Sequence, residues 1–239
     1  MKYLTIAFTL FLSINLSAQS WFGKRIKGSG PLKTITRNVS NYDKISIGGN
    51  FEIVLVKGVE GQLNIKVEDN LEQYLITSVK NNKLTIRWQR KFKVSPQETV
   101  KITIPFKEID EISYAGSGKI ATKDIIKEDD FTINMAGSGE LNLLLFVLDL
   151  DCTMAGSGKV FLTGEAENFD CSKAGSGYLY AYDFICKQID ISSAGSGMSE
   201  VNVTKNLEVS SVGSGNVYYK GNPKINKIKI AGSGSVLMK

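Results

Sequence analysis

Along the second half of the chain, hydrophobic and polar residues alternate with a period of two, the signature of β-strands with one face buried. The alternation is organised around a recurring tripeptide. Gly-Ser-Gly begins at Gly116, Gly137, Gly156, Gly175, Gly195, Gly213 and Gly232, and the same columns return around each copy. Four residues before the first glycine stand Ile112, Ile133, Cys152, Cys171, Ile191, Val209 and Ile228. Six before it, Phe131, Leu150, Phe169, Ile189 and Leu207 are apolar, and after the tripeptide come Ile120, Leu141, Val160, Leu179, Val217 and Val236. These columns are expected to face inward. The column between the first two reads Glu111, Thr132, Asp151, Asp170, Asp190, Glu208 and Lys227, and the one three before the glycine reads Ser113, Asn134, Thr153, Ser172, Ser192 and Ser210. Both should face water, so each repeat is a strand, a corner and another strand.

Successive tripeptides are 18 to 21 residues apart, too short for a helical-pair repeat and suited to one coil of a β-solenoid. Glycine explains the corners. The first glycines and their partners Gly118, Gly139, Gly158, Gly177, Gly197, Gly215 and Gly234 can adopt positive φ and tolerate close stacking, which a Cβ would prevent. The serine between them, Ser117 in the first copy and Ser233 in the last, is expected to cap backbone groups at the bend. At the far end Lys220, Lys224, Lys227, Lys229 and Lys239 crowd the last rung, where like charges discourage edge-to-edge addition.

Before the repeat, Phe51 to Val56, Gln62 to Val67, Leu84 to Trp88 and Val100 to Ile104 read as strands without the tripeptide, with Asn81-Asn82 as a turn. Residues 39–105 are therefore expected to form an N-terminal β region that caps a solenoid of residues 106–239. Upstream, Lys2, an apolar run from Leu4 to Leu12 and a polar stretch from Ser13 to Ser20 have the layout of a secretory signal, with cleavage near Ala18. The expected organisation is a signal peptide over 1–18, a linker over 19–38, the capping region and the solenoid. No segment is long and apolar enough to read as a transmembrane anchor.

Several of these stretches resemble a known family. Ile47-Gly-Gly-Asn-Phe51-Glu-Ile-Val-Leu-Val, Val67-Glu-Asp-Asn-Leu71, Lys83-Leu-Thr-Ile86, Val100-Lys-Ile-Thr-Ile-Pro105 and the Ala-Gly-Ser-Gly corners are similar to the putative auto-transporter adhesin, head GIN domain family. The resemblance covers about Val39 to Lys239. It implies an all-β fold, a single-stranded right-handed parallel β-helix, and little about function beyond the adhesin of the family's description.

Composition narrows the chemistry. Of 239 residues, 23 are glycine and none is histidine, which removes the commonest general base and the commonest transition-metal ligand. The net charge of +5 is mild. Arg87, Arg90, Lys91 and Lys93, interleaved with Trp88 and Phe92, could meet nucleic acid or an anionic glycan. The export signal argues against nucleic acid, and a solvated hairpin edge is the simpler reading. Asp151, Asp170 and Asp190 stack on successive rungs and read as a solvated acidic face, with a divalent cation as the alternative. Cys152 and Cys171 share an inward column at about the strand spacing, wider than a disulfide prefers, so both read as buried thiols; Cys186 is a third, unpaired cysteine.

The candidate binding residues are aromatic. With Leu179 inward, Tyr178, Tyr180 and Tyr182 should point out of one strand, and Tyr180 shares its column with Phe161 one rung before and Tyr218 two rungs after. Such a row offers ring faces and hydroxyls to a sugar chain or a protein surface; a ladder that only stiffens the sheet is the competing reading. No cofactor or metal site is expected. The function expected is a non-catalytic, adhesin-like binding or structural module of the cell envelope. The alternatives are a pectin lyase-like polysaccharide enzyme, opposed by the confinement of Arg25, Arg37, Arg87 and Arg90 to positions before the repeat, and a periplasmic protein-interaction component.

Overall fold

The computed structural model describes residues 24–239, so the expected signal peptide, residues 1–18, lies outside the described residues. Strands dominate. The first nine are β1 (Lys24–Lys27), β2 (Leu32–Asn38), β3 (Lys44–Gly48), β4 (Phe51–Lys57), β5 (Gln62–Glu68), β6 (Leu75–Lys80), β7 (Lys83–Trp88), β8 (Phe92–Ser95) and β9 (Val100–Phe106). The repeat supplies β10 (Glu111–Gly116), β11 (Lys119–Thr122), β12 (Ile126–Gly137), β13 (Glu140–Gly156), β14 (Lys159–Gly175), β15 (Tyr178–Gly195), β16 (Ser199–Gly213), β17 (Val217–Lys220), β18 (Lys224–Ala231) and β19 (Val236–Met238). One 3₁₀ turn, Asp69–Tyr74, interrupts them. Together they build a parallel β-solenoid of about seven turns.

Register follows the sequence columns. Ile133, Cys152, Cys171, Ile191 and Val209 are successive partners, as are Thr132, Asp151, Asp170, Asp190 and Glu208. The inward columns are buried as far as Val209 and Val217 and merge into one continuous core; Ile228, expected inward, is exposed and Val236 only partly buried, because no further rung covers the last one. At each corner the first glycine takes positive φ from Gly137 onward, 109° at Gly156 for instance, while Gly116 does not. The second glycine is needed for a different reason. A Cβ on Gly197 would lie 2.0 Å from the Gly177 carbonyl oxygen, so the rungs stack there only with hydrogen, whereas at Gly158 the nearest obstacle is the flexible end of Met135. Serine acts through its backbone here, not its hydroxyl. Ser157 N donates to Gly137 O at 3.0 Å and Ser176 N to Gly156 O at 2.9 Å, so the corners satisfy their own donors without the expected hydroxyl caps. Among the described residues the corner hydroxyls that bond are Ser214 and Ser233, to each other at 3.1 Å.

The N-terminal strands are laid down out of order. β3 and β4 pair in parallel with β10 and β11 on one side and with β7 and β9 on the other, so they form a rung between the repeat and a later segment. Gly48 stands beside Ala115, which makes Gly48-Gly49 the corner of that rung. Below it the pairing reverses: β6 runs antiparallel to β7, and β5 antiparallel to both β9 and β2. Antiparallel strands end the parallel ladder. Arg37 fastens this end, donating from Nη1 to Leu75 O at 2.6 Å and from Nη2 to Glu72 O at 2.7 Å. Residues 24–38, expected within a linker, instead form β1 and β2, because their backbone completes edges that distant strands leave open. At the opposite end every residue of β18 is exposed, including Ile225, Ile228 and Ile230, and its lysines flank them.

The three cysteines are buried and free. A hydrogen bond with Cys171 and burial hold the Cys152 thiol well above the usual range, and burial pushes Cys186 up to about 12. Unfolded thiols ionise near 9.0, so between that value and about 12 the unfolded chain binds fewer protons than the folded one. The stability these thiols contribute is complete below pH 9 and is lost as pH rises. Lys173, whose pKa burial lowers, acts in the opposite sense but is one group against two. Thermal unfolding should therefore occur at lower temperature at pH 10 than at pH 7.5, with a smaller drop in a Cys152→Ala, Cys186→Ala double variant. An equal drop in both proteins would contradict this assignment.

Candidate functional site

The strand after the corner in β15 places Leu179 and Ala181 inside, and Tyr178 and Tyr180 on the outer face. Parallel register sets Phe161 beside Tyr180, Tyr180 beside Glu200, and Glu200 beside Tyr218. The rings of Phe161 and Tyr180 stack with centroids 4.6 Å apart and planes 12° from parallel. Tyr178 and Tyr180 are likewise near-parallel, at 6.1 Å and 8°. Tyr178 is 37% exposed, and Tyr180 and Phe161 are half-buried. The result is a stacked three-ring platform on the outer face, with Tyr178 its most exposed member.

The other two aromatic candidates sit apart from it. Tyr218 is separated from Tyr180 by Glu200 and carries the Lys239 ammonium 4.8 Å from its ring centre. Tyr182 lies under Lys220, whose ammonium is 4.3 Å from the ring centre, and its hydroxyl is buried without a partner. Desolvation, with the Glu200 charge next, raises the Tyr182 pKa. The five residues thus form a platform of Phe161, Tyr178 and Tyr180 and a cation-covered flank of Tyr182 and Tyr218.

The remaining candidates resolve as follows. Asp151, Asp170 and Asp190 do stack, and desolvation followed by the two neighbouring carboxylates raises the Asp170 pKa. Beside them runs a hydrogen-bonded amide ladder: Asn168 donates to Asp149 at 2.6 Å, Gln188 to Asn168 at 2.9 Å and Asn206 to Gln188 at 3.1 Å. No cluster of three metal-ligating side chains occurs among the described residues. A shallow trough of about 620 Å³ follows the Thr153, Ser172, Ser192 and Ser210 column and the alanines beside it. Its lining is mostly small side chains, with Met154, Lys173, Val212, Lys229 and Ile230 among them.

Sequence reasoning missed Lys173. Two residues before the corner the column reads Tyr114, Met135, Met154, Lys173, Ser193 and Ser211, and it faces inward. Lys173 is 7% exposed and donates from Nζ to Met198 O at 2.6 Å and Ser199 Oγ at 2.8 Å. Its apolar neighbours in the column were the signal that the position points to the interior.

A model of the family described as putative auto-transporter adhesin, head GIN domain, matches residues 41–223. The chain belongs to that family. Among solved structures, a putative adhesin from Bacteroides fragilis NCTC 9343 is 26% identical with a TM-score of 0.84, over 90% of this chain and 100% of that one. A putative lipid binding protein from Parabacteroides distasonis ATCC 8503 is 28% identical with a TM-score of 0.76 over the same shares. A putative adhesin from the same strain, 24% identical with a TM-score of 0.71 and again 90% and 100% covered, shares the fold. A comparison with curated proteins finds no match. These solved structures are described as putative adhesins and a putative lipid binding protein, and no described helix of this chain is long and apolar enough to cross a membrane.

Proposed function

We propose that this head GIN domain chain is an exported, non-catalytic binding module of the cell envelope that engages carbohydrate through the Phe161, Tyr178 and Tyr180 platform. The observation that carries the reading is the near-parallel stacking of three outward rings across two rungs. A pyranose presents C–H groups on one face and hydroxyls at its edge; the exposed Tyr178 ring and the phenol oxygens of Tyr178 and Tyr180 offer partners for both. A sheet positions these rings without a loop to reorder, so little entropy is lost on binding. The adhesin-like family and the signal-like layout of residues 1–18 support the exported location.

Replacing Tyr178, Tyr180 and Tyr182 with serine should abolish retention on a glycan array while lowering stability only by the cross-strand contacts, about 0.2–1 kcal/mol each. Binding that survives this variant would overturn the assignment, and a large loss of stability would mark the rings as structural.

A further inference from the structure

β1 and β8 form a separate two-stranded parallel ribbon, which brings together two basic segments far apart in the chain. Lys24-Arg25-Ile26-Lys27 pairs with Phe92-Lys93-Val94-Ser95, and Arg25 stands opposite Lys93. Ile26 and Val94 pack toward the core, while Arg25, Lys27 and Lys93 are exposed on the other face; Arg90 and Lys91 precede β8 and are also exposed. Like charges directly opposite one another oppose strand pairing. None of Lys24, Arg25, Lys27, Arg90, Lys91 or Lys93 has a carboxylate within ion-pair distance among the described residues. Elsewhere in the N-terminal half, Lys33 is held by Asp69 at 2.8 Å, Lys83 by Glu111 at 2.8 Å and Lys101 by Glu52 at 3.0 Å. The ribbon's exposed cations are therefore unpaired and concentrate positive charge; the Glu68 carboxylate buried against Gly28 lies at the ribbon's end and accepts from Gln97 N.

We propose that this ribbon is a second binding surface, for a linear anionic polysaccharide. Cations two residues apart on a strand are about 6.6 Å apart and those on paired strands about 4.8 Å apart, a flat array that an extended polyanion can follow. Two other polyanions fit less well. Single-stranded nucleic acid is held by stacking its bases on open aromatic rings. Here Trp88 packs on Phe51 at 5.3 Å and Phe92 edge-on against Tyr74 at 4.7 Å, so both rings of the basic segment are engaged internally. Stable attachment to a bilayer calls for apolar side chains that insert beside the cations. The ribbon's apolar residues, Ile26, Phe92 and Val94, face the protein. The site is distinct from the aromatic platform and stands or falls separately.

The test measures binding of polygalacturonate and heparin to the full chain, with neutral dextran, phosphatidylglycerol vesicles and oligothymidylate as comparators. The expected result is saturable binding of at least one of the two polysaccharides, weakened by salt and absent for dextran. An Arg25→Glu, Lys93→Glu double variant keeps like charges opposite and the inward face unchanged. It should bind on the order of tenfold more weakly or not at all, with an unaltered melting temperature. The Tyr178→Ser, Tyr180→Ser, Tyr182→Ser variant should keep this binding. Absence of saturable binding, equal or tighter binding of vesicles or oligothymidylate, or unchanged affinity in the charge-reversed variant would each overturn the proposal.

Discussion

Gly156→Val and Gly175→Val should each lower the stability of the chain by about 3 kcal/mol or more, among the largest effects of any single surface substitution. Two penalties coincide at these corners. The backbone sits at φ 109° and 117°, a region that costs a β-branched residue about 1–3 kcal/mol. A Cβ at either position would also lie 2.5 Å from the carbonyl oxygen of the corner one rung earlier, Gly137 O for Gly156 and Gly156 O for Gly175. That oxygen already accepts the serine backbone N–H that joins the rungs, so it cannot withdraw without breaking the ladder. Gly158→Ala provides the contrast. Its φ lies outside the positive region and its closest obstacle is the flexible end of Met135, so it should cost clearly less. Urea unfolding monitored by circular dichroism would measure all three. Valine variants as stable as the parent would show that the corners can open independently of one another.

Phe169→Ala should cost about 3–5 kcal/mol. Phe169 is buried between Leu150 and Ile189 of the adjacent rungs and meets Phe184 edge-to-face at 5.9 Å and 89°. Alanine would leave a void that backbone cannot collapse into, because rung spacing is fixed by the hydrogen-bonded ladders above and below. A solenoid's rungs depend on their nearest neighbours, so hydrogen exchange should accelerate first in β13, β14 and β15 and less in the N-terminal end. A loss below about 1 kcal/mol, or uniform acceleration along the whole molecule, would contradict this view of the core.

Sequence alone determined the repeat, the strand faces of β12 to β16 and the column in which Phe161, Tyr180 and Tyr218 lie; the last rung departs, with Ile228 exposed where alternation turns it inward. Local chemistry suffices there: a period of two sets which side chains turn inward, and a glycine corner every 18 to 21 residues fixes where each rung restarts. Tertiary structure decided what depends on free backbone edges and on side-chain neighbours. The stacking of β7 and β9 beneath β3 and β4, and the recruitment of β1 and β2 from an apparent linker, follow from which strand edges remained open, a non-local property. A lysine taken by itself reads as a surface cation, yet the column of Lys173 turns inward and Met198 O and Ser199 Oγ accept its hydrogen bonds. Among the tyrosines, alternation gave the outward face. Only packing separated Tyr178 and Tyr180, stacked with Phe161, from Tyr182, whose ring a lysine from a later rung covers.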